Sequence, residues 1–252
     1  MEWYHYLIAL GGAFIAGSIN TLAGNGSVIT LSILTELVGL PGNVANGTNR
    51  IGVLFNGIGG TWGFFRGRKL VLKGTGGIVI CVVLGAVAGG FIAIKISDAQ
   101  FMTIFKYLMI GMLIVVIIHP SRWMIEQKMS ALVPEWVTYV IYFILGIYGG
   151  LIQMGMGIFF LAALVLLNRY PMIESNALKV FVVTIYTLLI VALFHFRGMV
   201  EWPVGLLMGI GQFAGGWATA RTISKYPGMN KVAYYFLIAI ILLSLASLFR
   251  LV

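Results

Sequence analysis

Charged residues are scarce in this sequence: they make up 9% of its 252 residues, whereas hydrophobic residues make up 60%. A soluble domain of this size carries about 25% charged residues, because its surface faces water. The scarcity therefore excludes an ordinary soluble domain. The mean hydropathy of +1.02 agrees, and it indicates a surface that mostly faces lipid.

Cysteine and acidic residues are also few, and their shortage excludes several kinds of site. The single cysteine, Cys81, lies in an apolar run, so neither a disulfide framework nor a cysteine metal site is expected. The seven acidic residues mostly flank loops and helix ends and form no paired carboxylates. No P-loop or dinucleotide motif is present. We therefore expect no enzyme activity, no cofactor, no bound metal and no nucleotide-driven transport by this chain alone.

Basic residues are missing from the first part of the chain, since none precedes Arg50. A cleaved signal peptide begins with a positive region, so we expect the first hydrophobic segment to remain as a membrane span. The net charge of +9 suits a membrane protein, in which Lys and Arg collect in cytoplasmic loops, better than a nucleic-acid partner. The expected surroundings are a lipid bilayer.

Apolar runs of roughly 18 residues recur along the chain, and each can cross a hydrocarbon core as a helix. Turn residues and charges divide the chain into two similar series, each with a broken segment and three spans. The first series is 4–40, 44–65, 74–95 and 101–119, and the second is 136–168, 175–196, 202–220 and 231–249. We predict an all-α polytopic membrane protein with repeats at 1–120 and 135–252 and a cytoplasmic connection at 121–134.

The two halves match in sequence as well as in order. The matched pairs, at offsets of 126 to 131 residues, are Gly24-Asn25-Gly26 with Gly155-Met156-Gly157, Leu40-Pro41 with Tyr170-Pro171, Asn46 with Asn176, Phe65-Arg66-Gly67 with Phe196-Arg197-Gly198, and Gly89-Gly90 with Gly215-Gly216. Matches in the same order indicate an internal duplication, which is frequent in transporters. The paired glycines at 89–90 and 215–216 also suit close helix packing.

The broken segments allow two topologies. As one helix, residues 4–40 would run about 55 Å, so the segment either crosses once with extra polar structure or returns as a hairpin. With hairpins, ten loop cations lie inside and three outside, whereas single crossings give eight and five. The hairpin is favoured. It makes the second half an inverted repeat of the first and places both termini outside.

The glycine bends of the hairpins are the predicted site. A helix can break at membrane depth only where protein or a watery cavity covers the break, so we expect the two bends to meet inside the bundle. Short helices from Ser27 and near Ile158 would aim their N-terminal N–H groups at the space between the bends, which favours an anion. The residues that shape the bends are Gly24, Gly26, Gly155 and Gly157.

Polar side chains near the bends are the candidate substrate ligands. Those that would supply hydrogen bonds are Asn20, Asn25, Asn46, Thr48, Asn49, Gln153 and Asn176. Arg50 and Lys179 would balance the charge of an anion, although each also suits a side chain that reaches a lipid headgroup. His195 is either a proton carrier or an interfacial histidine. No metal ligand set is present.

The same residues carry a family resemblance. GSINTLAGNGSVITLSILTELVGLPGNVANGTNRIGVLFNGIGG, followed by FFRGR, resembles the opening half of the TauE/SafE family, the sulfite exporter group of membrane transporters. GGLIQMGMGIFFLAALVLLNRYPMIESNALK, followed by FHFRGMVEWPVGLLMGIGQFAGG, resembles that family's second repeat. Asn25 stands where many relatives have glycine, and the second bend has fewer glycines than usual.

The resemblance implies movement of a small sulfur-containing or organic anion, such as sulfite or an organosulfonate, outward through the cytoplasmic (inner) membrane. The residues leave two other functions open, a passive anion channel and a non-transporting membrane scaffold. They also leave open whether the chain forms a homodimer, whether protons are coupled to transport and which half moves.

Overall fold

The computed structural model describes residues 3–118 and 134–223, and every regular element in these two ranges is helical. The first range contains α1 (Trp3–Ala23), α2 (Ser27–Ser32), α3 (Gly42–Arg66), α4 (Gly76–Ala93) and α5 (Asp98–Ile118). The second contains α6 (Glu135–Leu151), α7 (Met156–Leu166), α8 (Met172–Phe196) and α9 (Trp202–Ile223). The span predicted at 231–249, both chain termini and all but Pro134 of the predicted connection lie outside the described residues.

Three of the described helices are long and apolar enough to cross a membrane, and they lie at Tyr4–Leu22, Gly76–Ala93 and Met172–Phe196. Large apolar side chains such as Leu84 and Leu188 are exposed on their surfaces, as lipid contact requires. The chain is therefore a multi-pass membrane protein, and its described part is all-helical.

The first broken segment folds back as a hairpin. Helix α1 ends at Ala23, and Gly24 takes the left-handed conformation with φ of +79°, which reverses the chain. The chain then runs back along α1, because Gly26 lies against the carbonyl oxygen of Ala16 and the side chain of Ile33 lies against Gly12. Beyond α2 the helix continues as a π-helical turn at Ile33–Leu37, which the sequence pattern did not predict.

The second broken segment has the same form. Helix α7 returns along α6, since the rings of Tyr148 and Phe159 lie 6.1 Å apart and those of Tyr142 and Phe160 lie 5.5 Å apart. Both broken segments thus fold back on themselves in the described residues, and their short helices begin at Ser27 and Met156, close to the predicted starts. The side of the membrane that each loop faces stays a prediction.

Glycines allow two pairs of helices to touch through their backbones. A Cβ on Gly89 of α4 would lie 2.0 Å from the carbonyl oxygen of Ile147 in α6. A Cβ on Gly215 of α9 would lie 2.1 Å from the carbonyl oxygen of Phe14 in α1. Such distances leave no room for a side chain, so these glycines serve close packing. Helix α3 packs against α1, α8 and α9 and so lies at the centre of the described bundle.

Candidate functional site

The two bends touch each other directly. A Cβ on Gly24 would lie 2.4 Å from the Cα of Gly157, and a Cβ on Gly157 would lie 2.4 Å from the Cα of Gly24. Only a residue without a side chain fits at either position, because real Cβ atoms do not approach backbone this closely. This contact confirms the prediction that the bends meet, and it brings the end of α1 beside the start of α7.

A small cavity adjoins the contact between the bends. Its lining residues are Asn20, Gly24, Asn56, Gly57, Gln153, Met156, Gly157, Lys179, Val180, Val183 and Tyr186. Lys179 is the one charged side chain among them, and no carboxylate belongs to this lining. The hydrogen-bond donors of this lining are the side-chain amides and one ammonium group.

Lys179 caps the end of α1. Its Nζ donates to the carbonyl oxygens of Asn20 and Thr21, both at 3.3 Å, and to Asn176 Oδ1 at 2.7 Å. The two carbonyl groups belong to the last turn of α1, where no further helical N–H is available to them. A cation at this place also interacts favourably with the negative end of the helix dipole.

Arg50 caps the end of α6 in the same manner. Its Nη1 donates to the carbonyl oxygen of Gly149 and to Gln153 Oε1, both at 2.6 Å. Its Nη2 donates to the carbonyl oxygen of Gly150 at 2.9 Å and reaches Asn46 Oδ1 at 3.5 Å. The guanidinium group is fully buried and lies outside the set of residues that line the cavity.

An asparagine completes each cap. Asn46 Nδ2 donates to the carbonyl oxygen of Leu151 at the end of α6, at 3.0 Å. Asn176 Nδ2 donates to the carbonyl oxygen of Leu22 at the end of α1, at 3.2 Å. Each asparagine and its cation therefore satisfy three successive carbonyl groups of the other half's broken helix. At membrane depth an unsatisfied carbonyl group costs several kcal/mol, so these caps make the breaks tolerable.

Gln153 holds an unusual backbone conformation at the second bend. Its φ is +64°, a left-handed value that is uncommon for a residue with a side chain. The side chain both lines the cavity and accepts the hydrogen bond from Arg50. A strained residue of this kind persists where the surrounding structure fixes it, and it often marks a functional place.

Asn25 is fully buried at the first bend, and neither its Nδ2 nor its Oδ1 has a hydrogen-bond partner within the described part of the chain. Leaving a buried amide unpaired costs about 1 to 3 kcal/mol, and a bound water, ion or solute would relieve that cost. Asn49 is buried as well, and its Oδ1 accepts a hydrogen bond from the hydroxyl of Thr30.

Thr48 and His195 belong neither to the cavity lining nor to the caps of the broken helices. The hydroxyl of Thr48 accepts a hydrogen bond from the backbone N–H of Glu201 at 2.9 Å, so it ties α3 to the start of α9. His195 is exposed, and its Nδ1 accepts a hydrogen bond from Trp202 Nε1 at 3.1 Å. It lies 16 residues beyond Lys179 on the same helix, a separation of about 24 Å.

Two buried amides were missed by the sequence analysis. Asn56 Nδ2 donates to the carbonyl oxygens of Gly17 and Gln212, at 2.8 and 3.2 Å, so it joins α3 to α1 and α9. Its Oδ1 accepts from Asn20 Nδ2 at 3.3 Å, and both residues line the cavity. A lone amide inside an apolar run is itself a signal at membrane depth, and it marks both Asn56 and Gln212.

The structure thus brings eight of the predicted residues together in two sets. Asn20, Gly24, Gln153, Gly157 and Lys179 line the cavity. Asn46, Arg50 and Asn176 hold the helix ends beside it. Across residues 3–118 and 134–223, no three His, Cys, Asp or Glu side chains are grouped so that they could hold a metal ion.

Comparisons with known proteins agree with a transport role. A model of the family described as sulfite exporter TauE/SafE matches residues 9–247. A protein of Sinorhizobium sp. named probable membrane transporter protein ORF9 is 30% identical over 239 residues, which cover 95% of this chain and 89% of that protein. A probable membrane transporter protein of Haemophilus influenzae is 28% identical over 209 residues, which cover 80% and 78%. No solved structure matches significantly.

Proposed function

Because this chain belongs to the sulfite exporter TauE/SafE family and is a membrane transporter, we propose that it exports a small oxyanion, sulfite or an organosulfonate, from the cytoplasm. The membrane in question is the cytoplasmic one. The family and the names of the relatives indicate transport rather than catalysis.

The observation that carries the choice of an anion is the charge of the cavity lining. Lys179 brings a positive charge, while Asn20 and Gln153 add amide groups and no carboxylate opposes them. In a site of effective dielectric constant near 20, a unit charge about 4 Å away is worth about 4 kcal/mol to an anion. The same term disfavours a cation by as much, which makes a metal ion or an amine a poor substrate.

The proposed roles follow from position. Lys179 balances the charge of the substrate, and Asn20 and Gln153 donate hydrogen bonds to its oxygens. Asn25 and Asn49 each keep a buried Nδ2 without a partner in the described residues, and we assign them to the substrate path beyond the cavity.

The remaining predicted residues act around that path. Asn46, Arg50 and Asn176 fix the helix ends, and Thr48 fixes the start of α9. Gly24, Gly26, Gly155 and Gly157 shape the bends. His195 is proposed as an interfacial histidine, since it is exposed and distant from Lys179.

We also propose that residues 1–120 and 135–252 are inverted repeats with both termini outside. Equivalent contacts made by the two halves support this proposal. Asn46 and Asn176 cap the broken helix of the opposite half, and the pairing of α1 with α9 mirrors that of α6 with α4. Rocking of one repeat against the other around the two bends would then expose the cavity to each side in turn.

A flux screen in proteoliposomes tests the proposal. Sulfite, sulfate, thiosulfate, taurine, sulfoacetate and acetate are supplied one at a time, with and without a pH gradient. We expect saturable exchange of sulfite or an organosulfonate. Flux confined to metal cations would overturn the choice of an anion. Non-saturating conductance would indicate a channel, and the absence of any flux would favour a scaffold.

A further inference from the structure

The ammonium group of Lys179 has no donor to spare. A lysine carries three N–H donors, and here the three face the carbonyl oxygens of Asn20 and Thr21 and the side chain of Asn176. The cavity has room for about one water molecule, so an anion can enter it and bond to Nζ only by displacing one or more of these acceptors. The two bonds to α1 are the longer ones, at 3.3 Å against 2.7 Å for Asn176.

An oxyanion is the stronger competitor for those donors. The present bonds of Nζ are already charge-assisted, because the ammonium group is ionised. An anionic oxygen adds the attraction between two unit charges, about 4 kcal/mol at 4 Å for an effective dielectric constant near 20, which a neutral carbonyl oxygen lacks. Asn20 and Thr21 offer neutral carbonyl groups, and Asn176 offers a neutral amide. Replacement of the α1 carbonyl groups takes the charged donor away from Asn20 and Thr21, while Asn176 keeps its bond to Leu22, so the last turn of α1 retains only part of its cap.

The second bend differs in this respect. Arg50 holds α6 through bonds of 2.6 to 2.9 Å to Gly149, Gly150 and Gln153. Its side chain is fully buried and does not belong to the cavity lining. A solute in the cavity contacts Lys179 and does not contact Arg50. Solute binding therefore changes the hydrogen bonds of the α1 cap and leaves those of the α6 cap intact, although the two caps are built alike.

We propose that Lys179 is a substrate-operated latch: a bound anion draws Nζ away from the carbonyl groups of Asn20 and Thr21, and this frees the first bend while Arg50 keeps the second bend fixed. The latch rests on the proposed function and adds to it which of the two bends moves. Arg50, Asn46 and Asn176 are then positioning residues, and Lys179 alone exchanges between protein and substrate.

Hydrogen exchange measured by mass spectrometry tests the latch on the full chain in lipid nanodiscs, with sulfite as the probe. The peptides of interest cover residues 18–26, at the first bend, and 149–155, at the second. Loss of the two hydrogen bonds to Lys179 should speed exchange in 18–26 by about tenfold when sulfite is added. Exchange in 149–155 should stay unchanged. Titration calorimetry on the same sample measures whether sulfite binds.

Two matched variants sharpen the test. In Lys179→Gln, residues 18–26 should exchange rapidly without sulfite and gain nothing when it is added. In Arg50→Gln, residues 149–155 should exchange rapidly, while the sulfite response of residues 18–26 remains. If either variant fails to fold, exchange in the wild-type protein with and without sulfite still tests the latch.

The outcomes separate the latch from the function on which it rests. Sulfite binding with an unchanged first bend, or with a response at the second bend instead, contradicts the latch and leaves anion transport standing. No binding by sulfite or by any of the other screened anions contradicts both.

Discussion

Asn46 and Asn176 make equivalent contacts in opposite halves of the protein. Asn176 donates its side-chain Nδ2 to the carbonyl oxygen of Leu22, one residue before the end of α1. Asn46 donates its Nδ2 to the carbonyl oxygen of Leu151, the last residue of α6. The breaks in the two helices are therefore stabilised from across the molecule. A substitution in either cap should therefore destabilise the bend of the opposite half.

Replacement of Arg50 by methionine tests the cap on α6. The substitution leaves the carbonyl groups of Gly149 and Gly150 without their donor, so we expect the free energy of unfolding to fall by about 2 to 4 kcal/mol. Arg66→Met is the matched control, because Arg66 ends the same helix and is exposed. Thermal unfolding in detergent measures both, and equal midpoints would refute the cap.

Replacement of Gly157 by alanine tests the contact between the bends. The new Cβ would lie 2.4 Å from Gly24, and overpacking of this kind costs about 1 to 3 kcal/mol. We expect anion flux to fall by about tenfold or more, since the bends must separate to admit the methyl group. Gly11→Ala is the control, because a Cβ there has no atom within 4 Å. Similar flux in the two variants would argue against the contact.

Gly89→Ala tests the packing of α4 on α6 without touching the cavity. Its Cβ would lie 2.0 Å from the carbonyl oxygen of Ile147, and we expect a loss of about 1 to 3 kcal/mol in the free energy of unfolding. Gly76→Ala in the same helix meets nothing within 4 Å and should leave stability unchanged or slightly higher. Equilibrium unfolding in mixed micelles provides both values; a neutral Gly89→Ala would mean that the two backbones lie farther apart.

Asn56→Leu tests the amide that joins α3 to α1 and α9. The variant loses interhelical hydrogen bonds to Gly17 and Gln212, and we expect it to lose about 1 to 2 kcal/mol of stability together with much of its flux. Asn43→Leu provides a comparison within α3, because the bond made by the Asn43 side chain is to the N–H of its neighbour, Val44. We expect the unfolding midpoint and the flux to be lower in Asn56→Leu than in Asn43→Leu. A stable and active Asn56→Leu would show that this amide does not hold the three helices together.

The positions of the bends could be predicted from the sequence, because glycines and amides that interrupt an apolar run at membrane depth have few other uses. The partners of Arg50 and Lys179 could not. The sequence shows two cations near a proposed anion site, but the carbonyl groups that they cap lie about 100 to 160 residues away along the chain. Only the fold brings those groups together, and the mirrored caps appear once both hairpins are in place.

The π-helical turn at Ile33–Leu37 and the role of Asn56 were also beyond the sequence pattern. A π-helical turn inserts one extra residue into a helix that otherwise looks continuous. The pattern of hydrophobic residues therefore does not reveal it. Asn56 carried a signal in its amide, yet its partners again lie on other helices. The remaining helices followed the predicted spans closely, since their lengths are set by the thickness of the bilayer.

The most direct measurement of the central claim is counterflow of labelled sulfite into proteoliposomes by Val183→Glu and Val183→Gln, a pair that differs mainly in charge at a residue lining the cavity. A carboxylate there repels an anion by several kcal/mol and offers Lys179 a competing partner. We predict that Val183→Gln retains measurable, saturable counterflow and that Val183→Glu falls at least about a hundredfold below it. Equal counterflow by the two variants would contradict an anion site between the bends.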